Sequence, residues 1–172
     1  MSTRHLVETA VSLVNGHIQA NIQAALTDIR VNRADNKVTM EVPRDYYIYP
    51  KAQGFRTPAV FVIGDRIDFQ KREKGANHLN MDVKLFVTVL IEDKDAERLT
   101  LKSYRYQAAL HQILDQVQLS SADNKSKLTV VITNAAFSAL YSKAADDPSG
   151  VASVYRKEVS LELDCFMYEA LF

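Results

Sequence analysis

The stretch HLNMDVKLFVTVLIE, residues 78–92, puts Leu79, Met81, Val83, Leu85, Val87, Val89 and Ile91 on one side and everything else on the other. A period of two is the mark of a β-strand, whose side chains alternate between the faces of a sheet. The second side changes character along its length: His78, Asn80, Asp82 and Lys84 are polar, whereas Phe86, Thr88 and Leu90 mostly are not. A strand of this kind is wet on one face at its outer end and dry on both at its inner end. Any fold for the chain must therefore supply a second cover over Phe86 and Leu90.

The preceding run, PAVFVIGDRIDFQKR from Pro58, alternates as well and meets the first through Glu73-Lys74-Gly75. A three-residue hairpin loop with Gly75 as its left-handed residue joins them. That loop pairs Phe69 with Leu79, Ile67 with Met81, Ile63 with Leu85 and Phe61 with Val87, so the apolar faces coincide. The opposite face pairs Arg66 with Asp82 and Asp68 with Asn80 outside, Val62 with Phe86 and Val60 with Thr88 inside. Asp65 falls among apolar neighbours in this register unless Gly64 marks a bulge. Thirteen strand residues at about 3.4 Å each reach about 44 Å, the diameter of a globule this size, so the charged tip QKREKGANH reads either as a solvated turn or as an arm.

Residues 4–30 carry Leu6, Val7, Ala10, Val11, Val14, Ile18, Ile22, Leu26 and Ile29 at steps of three and four, one long amphipathic helix. Residues 31–57 form an irregular connector with Pro43, Pro50, the aromatic DYYIYP and the basic KAQGFR, and loops of this length in compact domains are usually functional or mobile. Residues 94–117 repeat a helical spacing, with Asp93 or Asp95 as the cap. LTVVITNAAFSALY and VASVYRKEVSLELDCFMYEA close the chain as two further strands around KAADDPSG. The expectation is one α+β domain over 1–172: a four-stranded, largely antiparallel sheet, two helices packed on one face, and a long extended β-hairpin.

Composition narrows the function classes. With 21 basic and 21 acidic residues the chain has no excess charge for neutralising phosphates. Its longest uncharged strand run, LFVTVLI, falls well short of the ~20 residues that cross a bilayer, and Glu8 interrupts any signal core, which points to a soluble chain made in the cytoplasm with no membrane partner. The single Cys165 stands in an alternating strand as a small buried hydrophobe. His5, His17, His78 and His111 fit no zinc spacing, and the glycines at 16, 54, 64, 75 and 150 are too scattered for a phosphate-cradling loop. Asp65 and Asp68 point to opposite strand faces, against a shared acid/base pair. The expectation is a protein without catalytic turnover, cofactor or metal. Two readings compete with a structural role: a small-ligand enzyme built on Asp65 and the tyrosine segment Tyr46, Tyr47 and Tyr49, and a monomeric adaptor that takes a peptide at a sheet edge.

The order of an amphipathic helix, DYYIYP, PAVFVIGDRIDF, a long charged hairpin, the helix SYRYQAALHQILDQ and the strand YRKEVSLELDCFMYE resembles the tail-terminator, or tail-completion, proteins of tailed bacteriophages and their neck relatives, over most of residues 6–170. The resemblance implies a non-enzymatic virion protein at the tail-neck junction, assembled in the host cytoplasm. Its relatives form a homo-oligomeric ring, commonly hexameric, that caps the tail tube protein (and the sheath where there is one), meets the head-completion proteins and lets DNA through without reading its sequence. In a ring, an adjacent subunit could cover Val62, Phe86 and Leu90, and the tip residues Arg72 and Lys74 could reach a neighbour; Tyr46, Tyr47 and Tyr49 read either as a roof over the sheet or as a dock for a partner. The chain's own connector is the other candidate cover.

Overall fold

The computed structural model describes residues 5–34, 38–50, 54–142 and 154–171. Helix α1 runs over Leu6–Arg33 and buries Val11, Val14, Ile18, Ile22 and Ile29 along one stripe. It ends where Ala34 turns left-handed at φ 48° and returns its N–H to the Val31 carbonyl. Helix α2 runs over Ala96–Leu114, and Asp95 caps it by accepting the Arg98 N–H at 2.8 Å. The helices share one apolar core with the sheet, in which α1 gives Ile18 and Ile22, α2 gives Leu99, Tyr106 and Leu110, and the long strands give Met81, Leu85, Leu161 and Leu163.

Beneath them lies a mixed sheet in the order β1-β2-β3-β7-β5-β4, with β6 paired to β7. The strands are β1 (Asp45–Tyr47), β2 (Ala59–Phe69), β3 (His78–Asp93), β4 (Gln118–Ser120), β5 (Ser126–Phe137), β6 (Tyr141–Ser142) and β7 (Tyr155–Ala170). The four long strands are the expected ones. The four-stranded count is corrected upward by β1, β4 and β6, each of two or three residues, too short to show a period. β1 runs parallel to β2, which makes the sheet mixed.

The extended hairpin does not stand out from the sheet as an arm. β3 is paired with β7 along its whole length, from His78↔Ala170 to Asp93↔Tyr155, so its outer half is backed by a neighbour strand rather than reaching out alone. The loop from Gln70 to Asn77 is longer than three residues. Gly75 does take the left-handed conformation, φ 89°, inside a turn closed by the Ala76 N–H on the Glu73 carbonyl.

The longer loop moves the register. In the outer half Phe69 pairs with Met81 and Ile67 with Val83, a slip of two that keeps each side chain on its expected face. Between Gly64 and Arg66 the ladder slips once more, leaving Asp65 as an extra, exposed residue. One residue reverses the faces: Val60 and Val62 turn to the helices, while Phe61 and Ile63 turn away. Gly64 sits at the bulge because α1 presses on it; a β-carbon there would stand 2.3 Å from Val7 Cγ1.

Candidate interaction surfaces

The reversal decides what covers the second dry face. Ala59, Phe61 and Leu90 form a small core of their own, closed by Tyr47 and Phe55 of the connector. Tyr47 stacks on Phe61 with ring centroids 5.4 Å apart, and Phe55 meets the same ring edge-on at 5.3 Å. The connector is therefore the cover. It is fastened along its length: Tyr106 donates from its buried hydroxyl to the Glu41 carbonyl, Arg105 donates to the Val38 carbonyl at 3.2 Å, and the Arg44 N–H reaches the Pro58 carbonyl at 2.8 Å. Asp45 accepts both the Arg56 N–H and its guanidinium, whose hydrogen bonds hold the carboxyl below its usual range. Thr57 donates to Glu92, which also pairs with Arg156, and the Arg156 guanidinium lies 5.8 Å over the Phe55 ring.

The residues expected to meet partners scatter accordingly. Val62 is fully buried under the helices, and Leu90 lies in the Tyr47–Phe55 core, so neither presents a surface to another molecule. Phe86 is half-buried on the open face, opposite Ile63 on one side and Glu162 on the other. Tyr46 packs on the main core and Tyr47 on the small one, while Tyr49 is 53% exposed. Asp65 lies further along β2 on its bulge, so it and the three tyrosines do not converge on one pocket. Arg72 and Lys74 are exposed, and the Arg72 guanidinium closes its own turn on the Ala76 carbonyl.

Two charged surfaces remain. On the outer half of the open face a shallow depression is lined by Arg66, Asp68, Asp82, Lys84, Asp164 and Phe166. Its carboxylates outnumber its cations: Arg66 pairs with Asp68 at 2.7 Å, Lys84 bridges Glu162 and Asp164, the Glu162 hydrogen bond raising the ammonium's pKa, and Asp82 accepts from the Gln70 amide at 3.3 Å. At the inner end of β3, burial works to raise the Asp93 carboxyl, but Arg98, Lys102 at 2.7 Å and the Asp95 N–H outweigh it and hold the group well below the usual range. In both, Arg66, Lys84, Arg98 and Lys102 each have a carboxylate partner. No group of three potential metal ligands occurs among the described residues, and no described helix is long and apolar enough to cross a membrane.

The edges of the sheet are less protected. β4 covers β5 only at Lys127–Thr129, and the stretch from Val131 to Phe137 has β7 on one side and, among the described residues, no strand on the other. Its sequence, VITNAAF, carries no charge, and Thr133 to Phe137 are exposed. Natural edges are commonly blunted by charges, proline or bulges. Both edges carry a bulge, β5 between Ile132 and Asn134 and β2 between Gly64 and Arg66, but only the β2 edge adds charges, in Asp65, Arg66 and Asp68. Alternation in the sequence locates β5 but not the shortness of β4, so this edge is invisible until the sheet is assembled.

No family model and no curated protein matches the chain. Among solved structures, a chain in the virion of a native gene transfer agent particle is similar at 14% identity with a TM-score of 0.31, over 89% of this chain and 97% of that one.

Proposed function

We propose that the protein is a non-enzymatic structural subunit of a virion, of the tail-terminator kind, that closes into a homo-oligomeric ring of six at the junction of tail and neck. The observation that carries this reading is where the exposed apolar side chains lie. Ile48, Tyr49 and Phe69 sit at one edge of the sheet, and Phe137 and Leu140 sit at the other. Val31, Leu101 and Phe166 are exposed elsewhere, but apolar groups on both edges of one sheet are what a head-to-tail ring uses, because each contact joins unlike surfaces. The sequence resemblance to tail terminators supplies the setting: a tail tube below, head-completion proteins above and DNA through the channel.

Electron microscopy of the purified chain tests the reading. Annular particles with a central channel are the expected result, and a field of single compact subunits at every concentration would refute it. The free β5 edge favours one other function, a monomer that captures an extended peptide by strand addition. That protein would show no annuli and would bind an uncharged peptide stoichiometrically.

A further inference from the structure

The two edges of the sheet are stepped, and the steps complement each other. Followed through the register, Tyr47 of β1 lies level with Phe61, Thr88, Ser160 and Ala136. Leu119 of β4 lies level with Leu128, Met167, Met81 and Phe69. At the inner level the sheet therefore runs β1-β2-β3-β7-β5, and at the outer level β2-β3-β7-β5-β4. Among the described residues it is five strands wide at both, with a notch beside β5 where β4 is missing and a notch beside β2 where β1 is missing.

We infer that neighbouring copies join edge to edge, the β1 side of one seated in the notch beside β5 of the next, and the β4 side of the second seated beside β2 of the first. Strand direction permits it. β1 runs with β2, and three antiparallel steps through β3 and β7 reverse the direction by β5, so an incoming β1 in the same orientation meets β5 antiparallel. The exposed apolar groups fall on the seam. Ile48 and Tyr49 directly follow β1 and, carried on in the same direction, come level with Ala135 and Asn134 of β5, while Phe137, whose ring Tyr104 meets edge-on at 5.3 Å, lies level with Tyr46. At the outer level Phe69, 61% exposed, comes beside Leu119. The uncharged edge VITNAAF gains backbone partners, and the charges of β2 stay on the sheet faces in water. The occupant is a second copy of this chain, because the two edges fit each other in level, direction and step. The inference rests on the ring reading and gives that ring its seam.

Cysteine pairs test it. Tyr49→Cys is combined in turn with Asn134→Cys and Ala136→Cys, which brackets the register, and the native protein is treated with a short bismaleimide. The substituted side chains are exposed, and melting temperature confirms that each variant folds. Within one copy the two positions lie four strands apart, about 19 Å at ~4.8 Å per step, beyond a short linker. Cys165 is buried, which pushes its thiol up to about 12 and keeps it silent. The expected result is a covalent ladder from at least one pair on a denaturing gel, with each single-cysteine variant staying monomeric. Dimers from Asn134→Cys alone would show β5 meeting β5 about a twofold axis and would overturn the seam. Particles of ring mass that give no ladder would overturn the seam and leave the ring standing. A monomeric native mass with no ladder would overturn both.

Discussion

Replacing Gly64 with alanine probes how α1 fixes the bulge, and with it which residues face the helices. The new methyl would lie 2.3 Å from Val7 Cγ1 and 3.7 Å from Val11 Cγ2. The first separation is about 1.5 Å inside the usual carbon contact of 3.5–4.0 Å, so helix or strand must move. Valine is stiff about χ1 and cannot simply swing aside. Overpacking of this kind costs about 1–3 kcal/mol, and alanine in place of glycine within a strand returns about 0.5–1 kcal/mol, for a net loss near 1–2 kcal/mol. In a chain of this length that lowers Tm by roughly 2–8 °C. The diagnostic measurement is a double-mutant cycle with Val7→Ala, which removes the colliding methyl. Calorimetry or guanidinium melts should show Gly64→Ala costing about 1 kcal/mol or more less in the Val7→Ala background than in the wild type. A neutral Gly64→Ala, or strictly additive losses, would refute the claim that α1 seats on the bulge.

Asp93→Asn is expected to cost about 3 kcal/mol at pH 7, because it removes the charge that Arg98 and Lys102 face in a buried position. The Asp93 carboxyl is depressed in the folded state, so its stabilisation is complete above its unfolded value near 3.9 and is lost as pH falls through the folded value. The gap between wild type and variant should therefore narrow as guanidinium melts are taken below pH 4, and a gap unchanged at pH 3 would contradict the pairing. Tyr106→Phe leaves the Glu41 carbonyl without its donor and should cost about 1 kcal/mol while raising the rate of protease cleavage within residues 38–50; an unchanged cleavage rate would separate the connector from that bond. Arg72→Glu with Lys74→Glu should lower stability by no more than about 1.5 kcal/mol, the turn bond to Ala76 being exposed, and should abolish assembly if the tip touches a partner. Normal rings from that variant would make the tip an ordinary solvated turn.

Much of the fold is legible from alternation and helical spacing. The odd residues of β3 and β7, from Met81 to Ile91 and from Val159 to Met167, lie inside as their pattern requires, because both strands sit between neighbours in the middle of the sheet. The errors cluster where tertiary contact outranks local pattern. A turn can be placed from Gly75, but loop length, and so register, depends on where the strands find their packing. The pattern of β2 reads as one face and is in fact two, because the Gly64–Asp65 bulge splits it; the discordant Asp65 is the residue that betrays this. Val62 misleads because the bulge turns it to the helices, and Leu90 because apolar residues on a second face announce a cover without naming it. Here Tyr47 and Phe55 of the same chain provide it. The β5 edge was beyond sequence reasoning, because an edge is a property of where other strands stop.

The native mass of the full chain, followed by mass spectrometry or light scattering from nanomolar to high micromolar concentration, bears directly on whether these stepped edges join copies into a closed ring. A single species of six chain masses that persists on dilution is the expected result, with Phe137→Asp reducing it to folded monomers whose stability falls by about 1 kcal/mol through loss of the Tyr104 ring contact. A wild-type chain that stays monomeric across the whole range, or an open series of masses that grows with concentration without closing, would contradict the ring.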